Sequence, residues 1–327
     1  MMQLSIAAAT ELAVRALTRA GMTAHAAGLV ANHLVDANLC GHEFSGLPRV
    51  LAIVDEVRKK PPPGEIRVVR EDRCSAVIDG GDNIGYVVSI TAIDKAVEIC
   101  RHTGVGVVAA NNTWFSGRLA CYVERAARLG YVAMHTTNTT ARVAPFGGID
   151  RLLGTNPFAI AFPGEDDPFI IDIGTAATTW GDVVLAGAKG EPLPAGVAVD
   201  AQGSPTVEPD AALAGAFLPW GGHRGSALSL AVQLLGILAG SAPVIHDVAN
   251  YGLFFLVIDP DMLLPGGQYK ARVSAFRRTL AATRPLAGMS PVRVPGDGSL
   301  HKRKQNLAAG VVNLDERVYE RILALCD

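Results

Sequence analysis

The sequence predicts an α/β protein in which a helical segment precedes a sheet covered by helices. Three observations carry this reading. Apolar residues recur at helical spacing through residues 1–60. Short β-branched runs then alternate with helical patterns, and strand–helix–strand order at that spacing calls for a parallel or mixed sheet. Finally, apolar residues make up 49% of the 327 and charged ones 18%, a balance that buries a large core and excludes a disordered chain.

The elements follow in order. A helical pattern over residues 7–38 breaks at Gly21, and Thr23 suits the cap of a second helix over 24–38. Residues 48–59 form a third helix with Val50, Leu51, Ile53, Val54 and Val57 inward. Pro61-Pro62-Pro63-Gly64 stops it, because three successive residues lack an N–H donor. Short strands are expected at 66–69 and 76–78, with a turn at Asp79-Gly80-Gly81-Asp82-Asn83. A helix over 90–103, a strand over 104–110, a helix over 118–129 and a strand over 131–136 come next. The middle third is rich in turns, with strands at 158–162 and 169–172 and an irregular, proline-bearing excursion over 189–209. A helix over 226–239, a strand over 254–259 and a closing helix over 315–325 complete the chain.

Several functions are excluded at this level. A formal net charge of −2 without any block of like charges gives no surface for nucleic acid or membrane lipid. The apolar run over 227–239 is shorter than the ~20 residues a bilayer span requires. The N-terminal segment reads as an amphipathic helix rather than a secretory signal. Five cysteines, scattered and without C-x-x-C spacing, read as buried free thiols of a cytoplasmic protein and predict no metal site.

The usual dinucleotide fingerprint is absent, since no Gly-x-Gly-x-x-Gly opens a helix after a strand. Four stretches carry chemistry. Gly41 to Arg49 packs His42, Glu43, Ser45 and Arg49 into nine residues, and a guanidinium there can grip a carboxylate. Gly221-Gly222-His223-Arg224-Gly225-Ser226 places glycines just before a helix. It is either an anion cradle of backbone N–H groups or a tight loop with a surface arginine. Gly154-Thr155-Asn156-Pro157 offers a hydroxyl and an amide in a turn, or is a plain turn. Asp172 and Asp182 end an apolar strand and follow Thr179-Trp180-Gly181, and either face a ligand or cap the next element.

Together these blocks resemble the malate/L-lactate dehydrogenase family of the second type, the non-Rossmann NAD(P)-dependent oxidoreductases that include ureidoglycolate dehydrogenase and Δ1-piperideine-2-carboxylate reductase. The likeness runs nearly the whole chain: Gly41-His42-Glu43, Pro145-Phe146-Gly147-Gly148, Gly154-Thr155-Asn156-Pro157, Gly203-Ser204-Pro205-Thr206 and Gly221-Gly222-His223-Arg224-Gly225 stand in the family's order. The resemblance implies a three-layer mixed-sheet α/β core and NADH or NADPH as cofactor. It also implies a small 2-oxo, 2-hydroxy or cyclic 2-imino acid as substrate, and a cytoplasmic homodimer. The segments it implies are a helical one at 1–60 contributing to the substrate pocket, a cofactor-binding core at 61–300, and 301–327 packing back on the N-terminal region.

Residue roles carry over position by position. Arg49 matches the arginine that holds the substrate carboxylate, and Thr155 a substrate-contacting threonine. Asp182 matches an aspartate that orients the catalytic histidine. Phe115, Ser116 and Gly117 lie in the segment next to the nicotinamide, and Ile173, Gly174 and Thr175 on a cofactor-contacting strand end. His223 and Arg224 belong to the cofactor loop, with Arg224 replacing a lysine, and Arg303 lies in a further contacting loop over 295–304. Two positions depart from the pattern, because Ser45 and Trp114 stand where the family has histidines. A positioned acid contributes ~10²–10⁴-fold to reduction of a ketone. Either His42 relays a proton through Ser45, or the substrate is an imine that arrives protonated, in a pocket made aromatic by Trp114 and Phe44. The alternative is a cofactor-binding relative whose catalysis is lost or altered.

Overall fold

The computed structural model describes residues 2–326, so residues 1 and 327, the outer limits of the two expected terminal segments, lie outside the described residues. Eleven strands and eleven α-helices follow one another along these residues. The first part runs β1 (Met2–Ser5), α1 (Ile6–Arg19), α2 (Ala24–Leu39), α3 (Arg49–Val57), β2 (Arg67–Asp72), β3 (Ser75–Ile84), α4 (Gly85–Thr103) and β4 (Val105–Trp114). The middle holds α5 (Ala120–Arg128), β5 (Val132–Thr137), β6 (Phe158–Phe162), β7 (Phe169–Ile173), α6 (Trp180–Lys189), β8 (Ala198–Val199), α7 (Pro209–Ala214) and β9 (Ala216–Phe217). The last part is α8 (His223–Leu238), β10 (Leu253–Ile258), α9 (Gln268–Ala281), α10 (Asp297–Ala309), β11 (Val311–Leu314) and α11 (Glu316–Leu323).

Two compact units result, one made of Met1–Gly64, Phe162–Ile170 and Leu264–Asp327, the other of Glu65–Ala161 and Ile171–Leu263. The first unit breaks at Gly64, and the stretch from Leu264 clusters with the N-terminal helices. The physical reason is pairing: β1 and β11 form an antiparallel ladder from Met2↔Leu314 to Ser5↔Val311. In the same unit α1 starts at Ser5, whose side chain accepts from the amide of Ala8, and buries Ala9, Leu12, Ala13, Ala16 and Leu17 on one stripe. Thr23 caps α2 as its sequence position suggests, accepting from the amide of Ala26.

The second unit is built on a seven-stranded sheet of order β2-β3-β4-β10-β5-β6-β7. It is mixed, with β3 and β4 parallel while β2–β3, β4–β10, β10–β5 and β5–β6 are antiparallel. Helix α4 is the crossover that a parallel pair requires. On β4, Gly106, Val108 and Ala110 are buried while Val105, Val107 and Ala109 are only half-buried, so one face of the sheet is the more deeply sealed. This is the three-layer mixed α/β architecture expected of a non-Rossmann fold. No described helix is long and apolar enough to cross a membrane.

Three local expectations are corrected. The segment Asp79 to Asn83 is a kink inside β3, where the register against β4 shifts and Asp82 takes φ 56°, rather than a turn that ends the strand. The 295–304 segment is mostly the first turns of α10. The thiols are not uniformly buried, since Cys74 is exposed and Cys121 and Cys326 are half-buried, leaving only Cys40 and Cys100 in the interior.

Candidate active site

In the first unit the Gly41–Arg49 stretch leaves α2, makes a 3-10 turn over Glu43–Ser45 and enters α3 at Arg49. Asn38, near the end of α2, clasps it: the buried side-chain oxygen of Asn38 accepts the amide of Leu47 at 2.6 Å. Gly46 is required beside that clasp, because a β-carbon there would overlap the Asn38 carboxamide. Arg49 is half-buried with its guanidinium 5.8 Å from the centre of the Phe44 ring, so its planar donors are held over an aromatic face.

Helix α10 packs against the same stretch. The Nε2 of His42 shares a 2.9 Å hydrogen bond with the hydroxyl of Ser299, and Asn306 donates to the carbonyl of Leu39 at 2.8 Å. Ser45 is half-buried, and it is to Ser299 of α10, not to Ser45, that Nε2 of the His42 ring is directed. Arg303 is held by Asp36 of α2 at 3.1 Å with its side chain largely covered, which makes it a clamp between α10 and α2 in this structure. A cavity of roughly 450 Å³ lies along α10, lined by Asp167, Arg277, Asp297, Leu300, His301 and Lys304. Its cations already face carboxylates, Arg277 to Asp297 and Lys304 to Asp167, each at 2.6 Å.

In the second unit the expected residues of three segments are tied by one polar network. Asn156 is fully buried at φ 36°, a conformation that costs an asparagine energy and persists only where its surroundings fix it. Those surroundings are explicit. Its carboxamide donates to the carbonyl of Ser229 at 3.1 Å and to Gln233 at 2.9 Å, both on α8, and accepts from the amide of Thr139 at 3.3 Å. Thr155 is therefore presented at a rigid corner, half-buried, with its own amide donating to the Thr139 hydroxyl at 3.2 Å.

Thr175 is the peg of this arrangement. It is buried, its hydroxyl donates to the carbonyls of Thr155 and Asn156 at 3.0 and 3.1 Å, and its carbonyl accepts the amide of Trp220 at 2.8 Å. Its polar atoms are thus spent inside the protein, and it positions the exposed Ile173 and Gly174 before it. The Gly221–Arg224 loop follows directly. Gly221 and Gly222 have φ 63° and 64°, and α8 begins at His223 without a side-chain cap. The first amides of α8 point outward from the helix start, beside the exposed Arg224, and this is an arrangement that receives an anion. Gly225 is indispensable to it, since a β-carbon would overlap the Trp220 carbonyl.

The Phe115–Gly117 segment joins the same unit. Phe115 has φ 36°, Gly117 has φ 69°, and the buried Ser116 offers its carbonyl to Tyr122 at 2.6 Å. Trp114 corrects an expectation: it is 3% exposed and donates its indole N–H to the carbonyl of Asp82 at 3.0 Å, so it is an interior residue and lends no aromatic wall. Asp172 accepts the amide of Ala120 at the start of α5, at 2.8 Å. Although part of the residue reaches solvent, the protein packed around its carboxyl raises the pKa, against the Ala120 amide and the charge of Arg118. Asp182 is exposed and forms a cap with Thr179, whose hydroxyl lies 2.6 Å from it. Nearby residues that the motifs did not single out are Arg142, which lies 4.0 Å over the ring of Trp180, and Trp180 itself. The only sequence signal for Arg142 is its place three residues before the Pro145-Phe146-Gly147-Gly148 block.

Comparison with known proteins identifies the family of the chain. A family model described as malate/L-lactate dehydrogenase matches residues 4–323. An L-sulfolactate dehydrogenase of Methanothermobacter thermautotrophicus is 33% identical over 94% of this chain and 92% of its own length. A malate dehydrogenase of Pyrococcus horikoshii is 32% identical over 95% of this chain and 89% of its own. The crystal structure of a dehydrogenase from Sinorhizobium meliloti superposes with a TM-score of 0.91 at 32% identity, covering 100% of this chain and 98% of that one.

Proposed function

Because the chain belongs to the malate/L-lactate dehydrogenase family of NAD(P)-dependent oxidoreductases, we propose that it transfers hydride between a nicotinamide cofactor and a small 2-oxo or 2-hydroxy acid, through the residues described above. The observation that carries the reading is the start of α8, where two left-handed glycines, outward amides and Arg224 fit the doubly charged pyrophosphate of NADH or NADPH. When bound, that cofactor supplies the hydride. The chain's own residues do the rest. Arg49 holds the substrate carboxylate, and its contact with the Phe44 ring limits the ways its planar fork can turn. Thr155, whose backbone amide and carbonyl are held by Thr139 and Thr175, offers a hydroxyl from a fixed backbone, which positions a reacting group at little entropic cost.

Proton delivery sets the substrate class. Hydride addition to a ketone leaves an alkoxide that needs an acid, and a serine hydroxyl without a neighbouring base is a weak one. Since the His42 ring is directed to Ser299 and Ser45 stands where the family has a histidine, a second substrate class is favoured beside the 2-oxo acids: cyclic 2-imino acids, whose nitrogen arrives protonated. A homodimer and a cytoplasmic location complete the reading. The apolar face of α8, with Leu234 64% and Leu238 71% exposed, supports a covering subunit, and five cysteines that form no disulfide among the described residues support a reducing compartment. The test is consumption of NADH and NADPH against pyruvate, oxaloacetate, Δ1-piperideine-2-carboxylate and Δ1-pyrroline-2-carboxylate, with Arg49→Ala beside the wild type. The reading requires turnover of at least one acid and a KM raised by roughly 10- to 100-fold in the variant. Cofactor binding without turnover of any of them would instead identify a relative with lost catalysis.

A further inference from the structure

Helix α5 begins without a cap of its own: its N-cap position is Leu119, and its first turn carries no acidic residue. A helix start leaves amide donors unsatisfied and favours an acceptor of negative charge. Here that acceptor comes from a strand 52 residues further along the chain, where Oδ2 of Asp172 on β7 takes the amide of Ala120 at 2.8 Å. Packing around the carboxyl raises its pKa, against the Ala120 amide and then the charge of Arg118. At neutral pH the ionised group therefore costs the fold stability, which a residue kept only as a cap would not do.

The bond joins two segments of the second unit. Just before α5, the carbonyl of Ser116 is taken by Tyr122 of the same helix at 2.6 Å, and the Phe115 carbonyl lies where a β-carbon on Gly85 would overlap it. With Phe115 and Gly117 both at left-handed φ, this loop has little freedom apart from the start of α5. Just after Asp172, the exposed Ile173 and Gly174 lead to Thr175, whose carbonyl accepts the amide of Trp220 at the edge of the Gly221–Arg224 loop. Asp172 thus links the anion-receiving start of α8, through Thr175 and Trp220, to the Phe115–Gly117 loop, through Ala120.

We propose that Asp172 is a positioning residue for the nicotinamide end of the cofactor: by tying the start of α5 to the end of β7, it sets the spacing between the Phe115–Gly117 and Ile173–Gly174 segments that receive that end. The inference rests on the dehydrogenase reading above and adds to it a residue that touches neither substrate nor hydride. The role asks for an acceptor oxygen at the right reach, and asparagine can supply one.

The experiment measures two affinities in wild type, Asp172→Asn, Asp172→Ala and Asp172→Glu. One is for the reduced cofactor that the wild type binds, by fluorescence titration. The other is for the matching fragment without nicotinamide, ADP-ribose or its 2′-phosphate, by calorimetry. Asparagine keeps an acceptor at the same reach, alanine removes it, and glutamate overreaches by one methylene. Alanine should raise the Kd of the reduced cofactor by about tenfold, as loss of one such contact does, and leave that of the fragment unchanged. Glutamate should act in the same direction, and it carries the test if the alanine variant does not fold. Asparagine should stay within about threefold of wild type for both ligands. Cofactor affinity unchanged in the alanine and glutamate variants overturns the inference. So does equal weakening of cofactor and fragment, which makes Asp172 a support of the fold, and so does an asparagine variant as weak as alanine. These three results leave the dehydrogenase reading standing. A wild type that binds neither cofactor nor fragment removes both.

Discussion

His135 lies on β5 with its ring stacked on Phe255 at 3.9 Å and edge-on to Tyr122 at 5.6 Å. Its Nδ1 lies 3.1 Å from the carbonyl of Phe254, which makes that nitrogen the donor of a neutral ring. Nε2 is buried without a partner, so a second proton would have nothing to meet. Burial therefore pushes the imidazole pKa down from 6.5 to about 3. Above pH 6.5 both the folded and unfolded forms are neutral and stability is unaffected. As pH falls from 6.5 towards 3 the unfolded chain takes up a proton that the folded one refuses, so stability is lost through that window. Acidification from pH 7 to pH 5 should cost about 2 kcal/mol from this residue alone. The perturbation is His135→Phe, which keeps an aromatic ring in the stack and removes the titration. Urea unfolding followed by tryptophan fluorescence at both pH values, for wild type and variant, isolates the residue because all other groups cancel. A variant that loses as much stability as the wild type over that interval would refute the buried, neutral imidazole. The outcome also bears on catalysis, since a histidine that stays neutral to about pH 3 is no proton donor at working pH.

Two further predictions follow from close packing and from burial. Gly225→Ala forces a methyl group into the Trp220 carbonyl, and should lower stability by about 1–3 kcal/mol. It should also weaken NADH binding by roughly tenfold or more, read as a fluorescence titration; wild-type affinity would detach the loop from the cofactor. Among the thiols, the exposed Cys74 should react with a disulfide reagent in the native protein at pH 8. Cys100, buried with its pKa pushed up to about 11, should react only after unfolding. Native labelling of Cys100 at the rate of Cys74 would contradict its placement.

What could be read from the sequence tracks how each element is stabilised. α1 buries one stripe and β4 alternate residues, and their apolar periodicity gives them away. α9 and α10 bury only Ser274 and Leu300 respectively, so they have no apolar stripe to detect. The β1–β11 ladder joins residues some three hundred positions apart, and four-residue strands carry no local mark of such a partner. At the site, Gly41, Gly154 and Gly221–Gly222 were visible because their chemistry is local. The roles of Asn156 and Thr175 as anchors and of Arg142 as a stacked cation depend on contacts between distant segments. Trp114 shows the converse: its place in the motif suggested a pocket wall, and the kink at Asp82 draws its indole inside.

The central claim is that hydride passes from the nicotinamide to the carbon next to the substrate carboxylate. It is tested most directly by supplying cofactor deuterated on one face of its ring carbon C4, together with whichever 2-oxo or 2-imino acid is consumed, and locating the label by mass spectrometry. The account predicts one deuterium at C2 of the product from one face of the cofactor and none from the other. Product without label from either face, or cofactor oxidised with no reduced acid formed, would contradict it.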